Sequence, residues 1–335
     1  MITGAGRSLV VAAPGSVSLA ASGLSSPAEG ELSVRPKLVG LCGTDLEIID
    51  GRIDPAYVRY PIVLGHEWCG VVEGGQEGEQ LVVGEGVVPC GHCQRCRQGR
   101  TNLCETYDEV GFTRDGAAAP EIRVPRSLVH VLGPAADPAA AVLAEPAAVV
   151  YQALRRAAPA PGWRVLVIGD GTIGLLGALL SGLWSPAVVD VVGTRADQAE
   201  LASRAGADSF RPPAPAPGAD YDLVIEAAGS PAAVVSALAA ARRGGVVLLL
   251  GLPTHGHETP FAVADAVNRD LAIHASFSYT SSAFAEVVAL LSSRRLDPSF
   301  IVTHRFPLEE WSQALEVLRQ PIGERGKVVL EMEPG

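Results

Sequence analysis

Basic residues are in short supply: 26 Lys and Arg stand against 37 Asp and Glu, for a formal net charge of −11. That balance argues against nucleic acid or an anionic membrane surface as a partner. It leaves anionic cofactors open, because local loops rather than net charge bind them. Nor is an export signal expected. The N-terminal run to Gly23 has one basic residue, Arg7, and its apolar stretch is broken by Pro14-Gly15. This turn dipeptide predicts two strands joined by a turn. No internal repeat is apparent. The uncharged run Gly171 to Val189 is long enough to suggest a membrane span, but it carries four glycines and Pro186 and follows a strand and a Gly-rich loop. We read it as a buried helix approaching a strand, and the protein as cytoplasmic.

With 335 residues, 48% hydrophobic and 19% charged, the chain has room for two domains and a sizeable core. Six cysteines are present, and without export they are not read as disulfides. Four of them, Cys90, Cys93, Cys96 and Cys104, are spaced C-x2-C-x2-C-x7-C. Four thiolates this close can enclose a tetrahedral zinc with no open position, a structural site; an iron–sulfur cluster also accepts four thiolates. His92 between them is a bystander, and Cys69 is read as simply buried.

A second potential ligand set lies in LCGTDLEIIDG (41–51) and GHEWCG (65–70), which supply the Cys42 thiol, the His66 imidazole and the Glu67 carboxylate. Zinc accepts all three, and a catalytic zinc keeps one position open. Taken alone, a buried Cys and a satisfied core His explain these residues equally well. Glu145 is a lone charge among apolar neighbours near a helix start, and those neighbours suggest that it points at something.

The first third reads as many short strands with turns: SLVVAA, SVSLAA, ELSVRPKLVG, then 62–64, 70–73 and 80–83, with a Gly-rich loop at 73–80. EIRVP (121–125) is another strand, and 142–154 is helical. From Trp163 the pattern changes to strand–helix alternation. Arg164 to Ile168 is a buried strand, and Gly169, Gly171 and Gly174 form G-x-G-x-x-G ahead of an apolar helix. Strand before and helix after is the context in which this loop holds a pyrophosphate. Further strands at 187–192, 221–226 and 245–251 make a doubly wound parallel sheet. The Pro-rich segment 211–220 is a loop. Two amphipathic helices and a last strand, GKVVLEM, close the chain.

Taken together, VGLCGTDLEIIDG, GHEWCG, the four-cysteine lobe, LAEP, VLVIGDGTIG and the closing GKVVL resemble, in order and over essentially the whole length, a zinc-dependent medium-chain dehydrogenase/reductase. LAEP in place of a third cysteine ligand is similar to the polyol, sugar and threonine dehydrogenase branch. GHEW and GFTRDGA more weakly resemble bacterial cyclitol dehydrogenases of the deoxy-scyllo-inosamine type.

The resemblance implies an α/β protein. A GroES-like catalytic domain would comprise residues 1–148 and 277–335, and a Rossmann coenzyme domain residues 149–276, with the active cleft between them. It further implies two zinc ions per chain, hydride transfer between a nicotinamide coenzyme and a secondary alcohol of a small polyol, sugar or cyclitol (or the matching ketone), and a homodimer or homotetramer. Cys42 and His66 would hold the catalytic zinc with Glu67 or Glu145, both of which lie near the metal in similar enzymes. Cys90, Cys93, Cys96 and Cys104 would hold the structural one. Thr44 matches the hydroxyl that passes on the substrate proton, and Asp45 the acid that orients the zinc histidine. Glu47 stands where the family often has a relay histidine. Pro120 and its neighbours lack the Tyr that relatives often have there.

For the coenzyme, Gly169, Gly171, Thr172, Ile173 and Gly174 match the phosphate loop. The second strand ends in Gly193, where NAD-dependent relatives carry an acid. Thr194 and Arg195 follow, so the expected preference is NADP, with Arg195 meeting its phosphate. Asp190, three residues before Gly193, is not expected to reach the ribose. The alternatives are a cinnamyl-type alcohol/aldehyde reductase, which usually has a third cysteine ligand, or a non-catalytic nucleotide-binding relative.

Overall fold

A computed structural model describes residues 6–22, 28–73, 78–213, 218–252, 258–320 and 322–332. The middles of the Gly-rich loop at 73–80 and of the Pro-rich loop at 211–220 fall outside the described residues. Contacts divide the chain into one unit of Met1–Glu145, Tyr279–Pro321 and Lys327–Gly335, and another of Pro146–Ser278 with Ile322–Gly326.

In the first unit, strands Arg7–Ala13 and Ser16–Ala21 pair antiparallel across Pro14-Gly15, and Ile62–Val63 joins them on the other side. A second sheet of seven strands is centred on Glu31–Leu41, flanked by Glu67–Glu73 and Lys327–Glu331. In that register Gly40 lies opposite Glu67, and Leu41 opposite Val328. Residues distant in sequence therefore meet at one end of the central strands, beside Cys42. Leu9, Val39, Leu41, Leu64, Trp68 and Val328 are among the side chains of this unit's core.

Helix Gly43–Asp50 is anchored at its far end to helix Trp311–Arg319 by an ion pair of Asp50 with Arg319. The hydrogen bond from Arg319 holds the Asp50 carboxyl below its ordinary pKa, against a smaller effect of burial. A lowered carboxylate pKa adds stability above the unfolded-state value, and the gain is lost as pH falls through the folded value. The pair is partly exposed and screened, so Asp50→Asn should cost only about 0.2–1 kcal/mol at neutral pH and nothing in strong acid. Thermal melts of the two proteins across acid pH check this.

The second unit contains six parallel strands in the order Ser209–Arg211, Val188–Val192, Arg164–Ile168, Tyr221–Glu226, Ala241–Leu249 and Ala272–Ala275. This is the 3-2-1-4-5-6 order of a dinucleotide-binding fold. The uncharged run begins as helix Thr172–Ser181, most of it buried. No helix among the described residues is long and apolar enough to cross a membrane. Helix Pro231–Ala240 gives way to a strand at Ala241 with no loop between them. Arg269 donates to the carbonyls of Leu238, Ala239 and Ala241, satisfying acceptors that a helix end leaves open.

Candidate active site

Cys42 is the N-cap of helix Gly43–Asp50. Its Sγ accepts from the Thr44 N–H at 3.3 Å, and the Asp45 carboxylate accepts from the Cys42 N–H at 2.9 Å. The start of the helix thus carries a thiol, a hydroxyl and a carboxylate within four consecutive residues.

His66 is buried and lies across from that cap, with Nε2 3.2 Å from Cys42 Sγ. Its other nitrogen, Nδ1, is 3.6 Å from Asp45 Oδ1, too long for a hydrogen bond, and neither atom has another bonding partner. Phe112, from the GFTRDGA segment, tilts against the imidazole with ring centroids 5.1 Å apart. Burial lowers the pKa of His66, but Cys42 and Asp45 together raise it further, leaving it well above its ordinary value.

Glu67 is the next residue, and its Oε1 is 4.0 Å from His66 Nε2. A side chain at Gly40 would collide with this carboxylate, so the sheet register permits only glycine opposite it. The Glu67 carboxylate is ion-paired with Lys327, whose Nζ donates to Oε1 at 2.8 Å and to the Leu41 carbonyl at 3.3 Å. Lys327 is only 2% exposed. Burial opposes its charge, but Glu67 and Cys42 outweigh that and raise its pKa. The sequence reading did not pick out this lysine. The signal in the sequence is a charged residue at the head of the apolar run Val328–Leu330.

Ligand atoms of Cys42, His66 and Glu67 all lie within 4.8 Å of one another. Thiolate and imidazole ligands about 2.3 and 2.0 Å from a tetrahedral zinc stand roughly 3.5 Å apart, close to the Sγ–Nε2 separation. The donor set and its spacing therefore fit zinc. Glu145, in the first turn of helix Ala144–Ala157, is not in that group but interacts electrostatically with His66, Glu67, Glu109 and Lys327. Burial, reinforced by Glu67 and Glu109, raises its pKa to about 8 against the pull of His66. Glu47 is half-buried one turn along the helix from Cys42, and burial raises its carboxyl pKa.

Four of the other five cysteines, Cys90, Cys93, Cys96 and Cys104, form a separate cluster within the same 4.8 Å limit, with Cys90 and Cys96 sulfurs 4.0 Å apart. Edges of a tetrahedral four-thiolate zinc site are about 3.8 Å, so this cluster fits as well. Backbone N–H groups of Cys90, Cys93, Cys96 and Thr106 donate to its sulfurs at 3.3–3.4 Å. The backbone bonds, that of Glu105 first and then Cys96, lower the Cys93 pKa to about 6. His92 turns away and contacts the Cys90 carbonyl through Nδ1, and Cys69 is fully buried.

In the second unit, Gly171 is the N-cap of helix Thr172–Ser181, so Thr172, Ile173 and Gly174 present the free N–H groups of its first turn. Thr172 Oγ1 donates to the Gly326 carbonyl at 3.3 Å. At the strand end, Arg195 does not stand free beside Gly193 and Thr194. Its guanidinium is 11% exposed and paired with Asp170 from the glycine loop. Asp190 is occupied elsewhere, accepting from Ser209 and from the Tyr221 hydroxyl.

Both halves of the chain match known families. The family model for the alcohol dehydrogenase GroES-like domain covers residues 28–134, and that for the glucose dehydrogenase C-terminus covers residues 138–332. L-galactonate-5-dehydrogenase of Escherichia coli K12 is 32% identical over 87% of this chain and 88% of its own. Sorbitol dehydrogenase of Bacillus subtilis 168 is 29% identical over 85% and 86%. Among solved structures, a zinc-binding dehydrogenase of Sinorhizobium meliloti 1021 bound to NADP superposes with TM-score 0.89 at 27% identity, covering 98% of this chain and 99% of that one. The fold and its two ligand clusters define a metal-dependent dehydrogenase. The chain belongs to the zinc-dependent medium-chain dehydrogenase/reductase family, as an oxidoreductase acting on CH–OH donors with zinc and a nicotinamide coenzyme.

Proposed function

We propose that this enzyme oxidises a secondary hydroxyl of a polyol, sugar or sugar acid, or reduces the matching ketone. The observation that carries the reading is the Cys42–His66–Glu67 cluster, with Sγ and Nε2 at 3.2 Å. It is supported by relatives named for sorbitol and L-galactonate, both chains of adjacent hydroxyls. In this reading the first unit is the catalytic domain and the second binds the coenzyme.

Cys42, His66 and a carboxylate from Glu67 or Glu145 would hold the catalytic zinc, which when bound would supply Lewis acidity to the substrate oxygen, with the dinucleotide as the hydride acceptor. The protein's own groups then manage one proton and several charges. Thr44 Oγ1, two residues from Cys42, accepts the proton leaving the substrate hydroxyl, and Glu47 is the outer end of that path. Asp45, with Oδ1 3.6 Å from His66 Nδ1, faces the ring nitrogen away from Cys42, where a carboxylate would orient a zinc histidine once the two draw within hydrogen-bond range. Lys327 balances the Glu67 charge inside the site. Gly169, Gly171, Thr172, Ile173 and Gly174 bind the pyrophosphate through the helix start.

A proton conduit of this kind contributes roughly 10²–10⁴-fold. Thr44→Val should lower turnover on that order while zinc content is unchanged; near-normal turnover across pH would assign Thr44 to capping alone. The substrate class is tested by coenzyme reduction on panels of acyclic polyols, sugar acids, cyclitols and primary alcohols. Activity confined to primary alcohols or aromatic aldehydes would favour a cinnamyl-type reductase instead.

A further inference from the structure

Strand Val188–Val192 ends beside Gly193, so the chain has no acid at the place where such folds read the ribose. The space is nevertheless filled by an acid. A Cβ built on Gly193 would lie 2.6 Å from Asp170 Oδ2 and closer still to Asp170 Cβ. The Asp170 carboxylate, carried between the first two glycines of G-x-G-x-x-G, thus stands where a side chain of residue 193 would begin. Glycine at 193 is the condition for its being there.

This carboxylate is held from several directions. Oδ2 accepts from the Arg195 backbone N–H at 2.9 Å, and Oδ1 from Arg195 Nε at 3.2 Å and Nη2 at 2.9 Å. Arg195 is fully engaged in turn: Nη2 also donates to the Asp170 carbonyl at 2.9 Å, and Nη1 to the Arg325 carbonyl at 3.3 Å. Gln198, fully buried, donates to the carbonyls of Asp170 and Arg325 and accepts from the Arg325 N–H at 2.8 Å. All three guanidinium nitrogens of Arg195 are therefore committed, and its charge is neutralised by the carboxylate beside it.

We propose that Asp170 is the coenzyme-selecting acid of this enzyme, delivered from the glycine loop in place of the strand end, and that it sets a preference for NAD over NADP. The inference rests on the reading that the second unit binds a nicotinamide dinucleotide. A 2′-phosphate brought to this site meets a fixed carboxylate, an arginine already paired with it, and the half-buried Arg325, whose charge burial and Arg195 oppose; a ribose 2′-hydroxyl meets an acceptor. The expectation of NADP assumed a strand end with a free arginine and no acid, and Asp170 changes both premises.

The test uses ADP-ribose and 2′-phospho-ADP-ribose, which carry the adenosine half without the reacting ring, so the zinc chemistry and the substrate do not enter. Calorimetric titration of the zinc-loaded enzyme should show ADP-ribose bound about ten- to a hundredfold more tightly, the range of a hydrogen bond to a charged group. Asp170→Asn, which keeps the shape and removes the charge, should bring the two ligands towards parity, chiefly by improved binding of the phosphorylated one. The ratio of kcat/KM for NAD and NADP should move in the same direction. Tighter binding of 2′-phospho-ADP-ribose by the unaltered enzyme would overturn the proposal without any variant. So would an Asp170→Asn protein that loses affinity for both ligands with the ratio unchanged, the mark of a purely structural role. Failure of the unaltered enzyme to bind either ligand would refute the coenzyme site itself, a different outcome from a reversed preference.

Discussion

His66→Ala is expected to purify as a folded protein that still binds the dinucleotide, carries one zinc per chain in place of two, and turns over on the order of a thousandfold or more slowly. The magnitude follows from the several kcal/mol that a Lewis acid contributes and from the tenfold change in rate per about 1.4 kcal/mol. The fold should survive because His66 sits just before the start of strand Glu67–Glu73, at the end of the strands and not within the packing between them. Around it Leu64, Trp68, Val39 and Leu41 are almost wholly buried and bring their own packing. The glycine loop proposed to bind the dinucleotide belongs to the other unit, with its own core around Leu166, Val224 and Val247. Metal analysis, coenzyme titration and steady-state kinetics on one sample check all three parts. Unchanged metal content in an inactive variant would place the zinc elsewhere.

Cys96→Ser is expected to act in the opposite way, on folding more than on chemistry. Helix Gln94–Arg97 is a single turn, and neither it nor the short helix Thr101–Leu103 contains a buried residue. Apolar burial therefore does little to hold this lobe, and the four sulfurs take over that task. Structural zinc contributes about 10–16 kcal/mol in small isolated sites, comparable with the whole net stability of a domain at about 5–15 kcal/mol. Even a loss of about 3–4 kcal/mol would lower Tm by roughly 10 °C. Poor soluble yield or a large fall in Tm, with one zinc per chain in what remains, is the expected result. A variant that melted like the parent would show that the lobe folds without its metal.

Much of this architecture was legible in the chain because its signals are local. The Pro14-Gly15 turn, the C-x2-C-x2-C-x7-C run and the strand–glycine loop–helix at 164–181 each fall within a few residues, and each is present as read. What stayed hidden depends on register or on space. Helix Gly43–Asp50 is short and its start is a cysteine, a residue with little capping signal, so the segment reads as ligand motif and not as helix. Lys327 meets Glu67 across 260 residues because two strands flank the same central strand. Asp170 looks like a variable position inside a glycine motif, and only the collision with a Cβ at residue 193 shows what it occupies. Arg195 was legible as a charge at the right place; its partner was not.

The central claim is that Cys42, His66 and a neighbouring carboxylate form a catalytic zinc site for a secondary alcohol. Its most direct measurement is coenzyme reduction on a polyol or sugar-acid substrate while the labile zinc is removed by chelation and then restored. The account predicts two zinc ions per chain at full activity, loss of activity with the first zinc to leave while the protein stays folded, and recovery when zinc is added back. Full activity in protein retaining one zinc or none would contradict it.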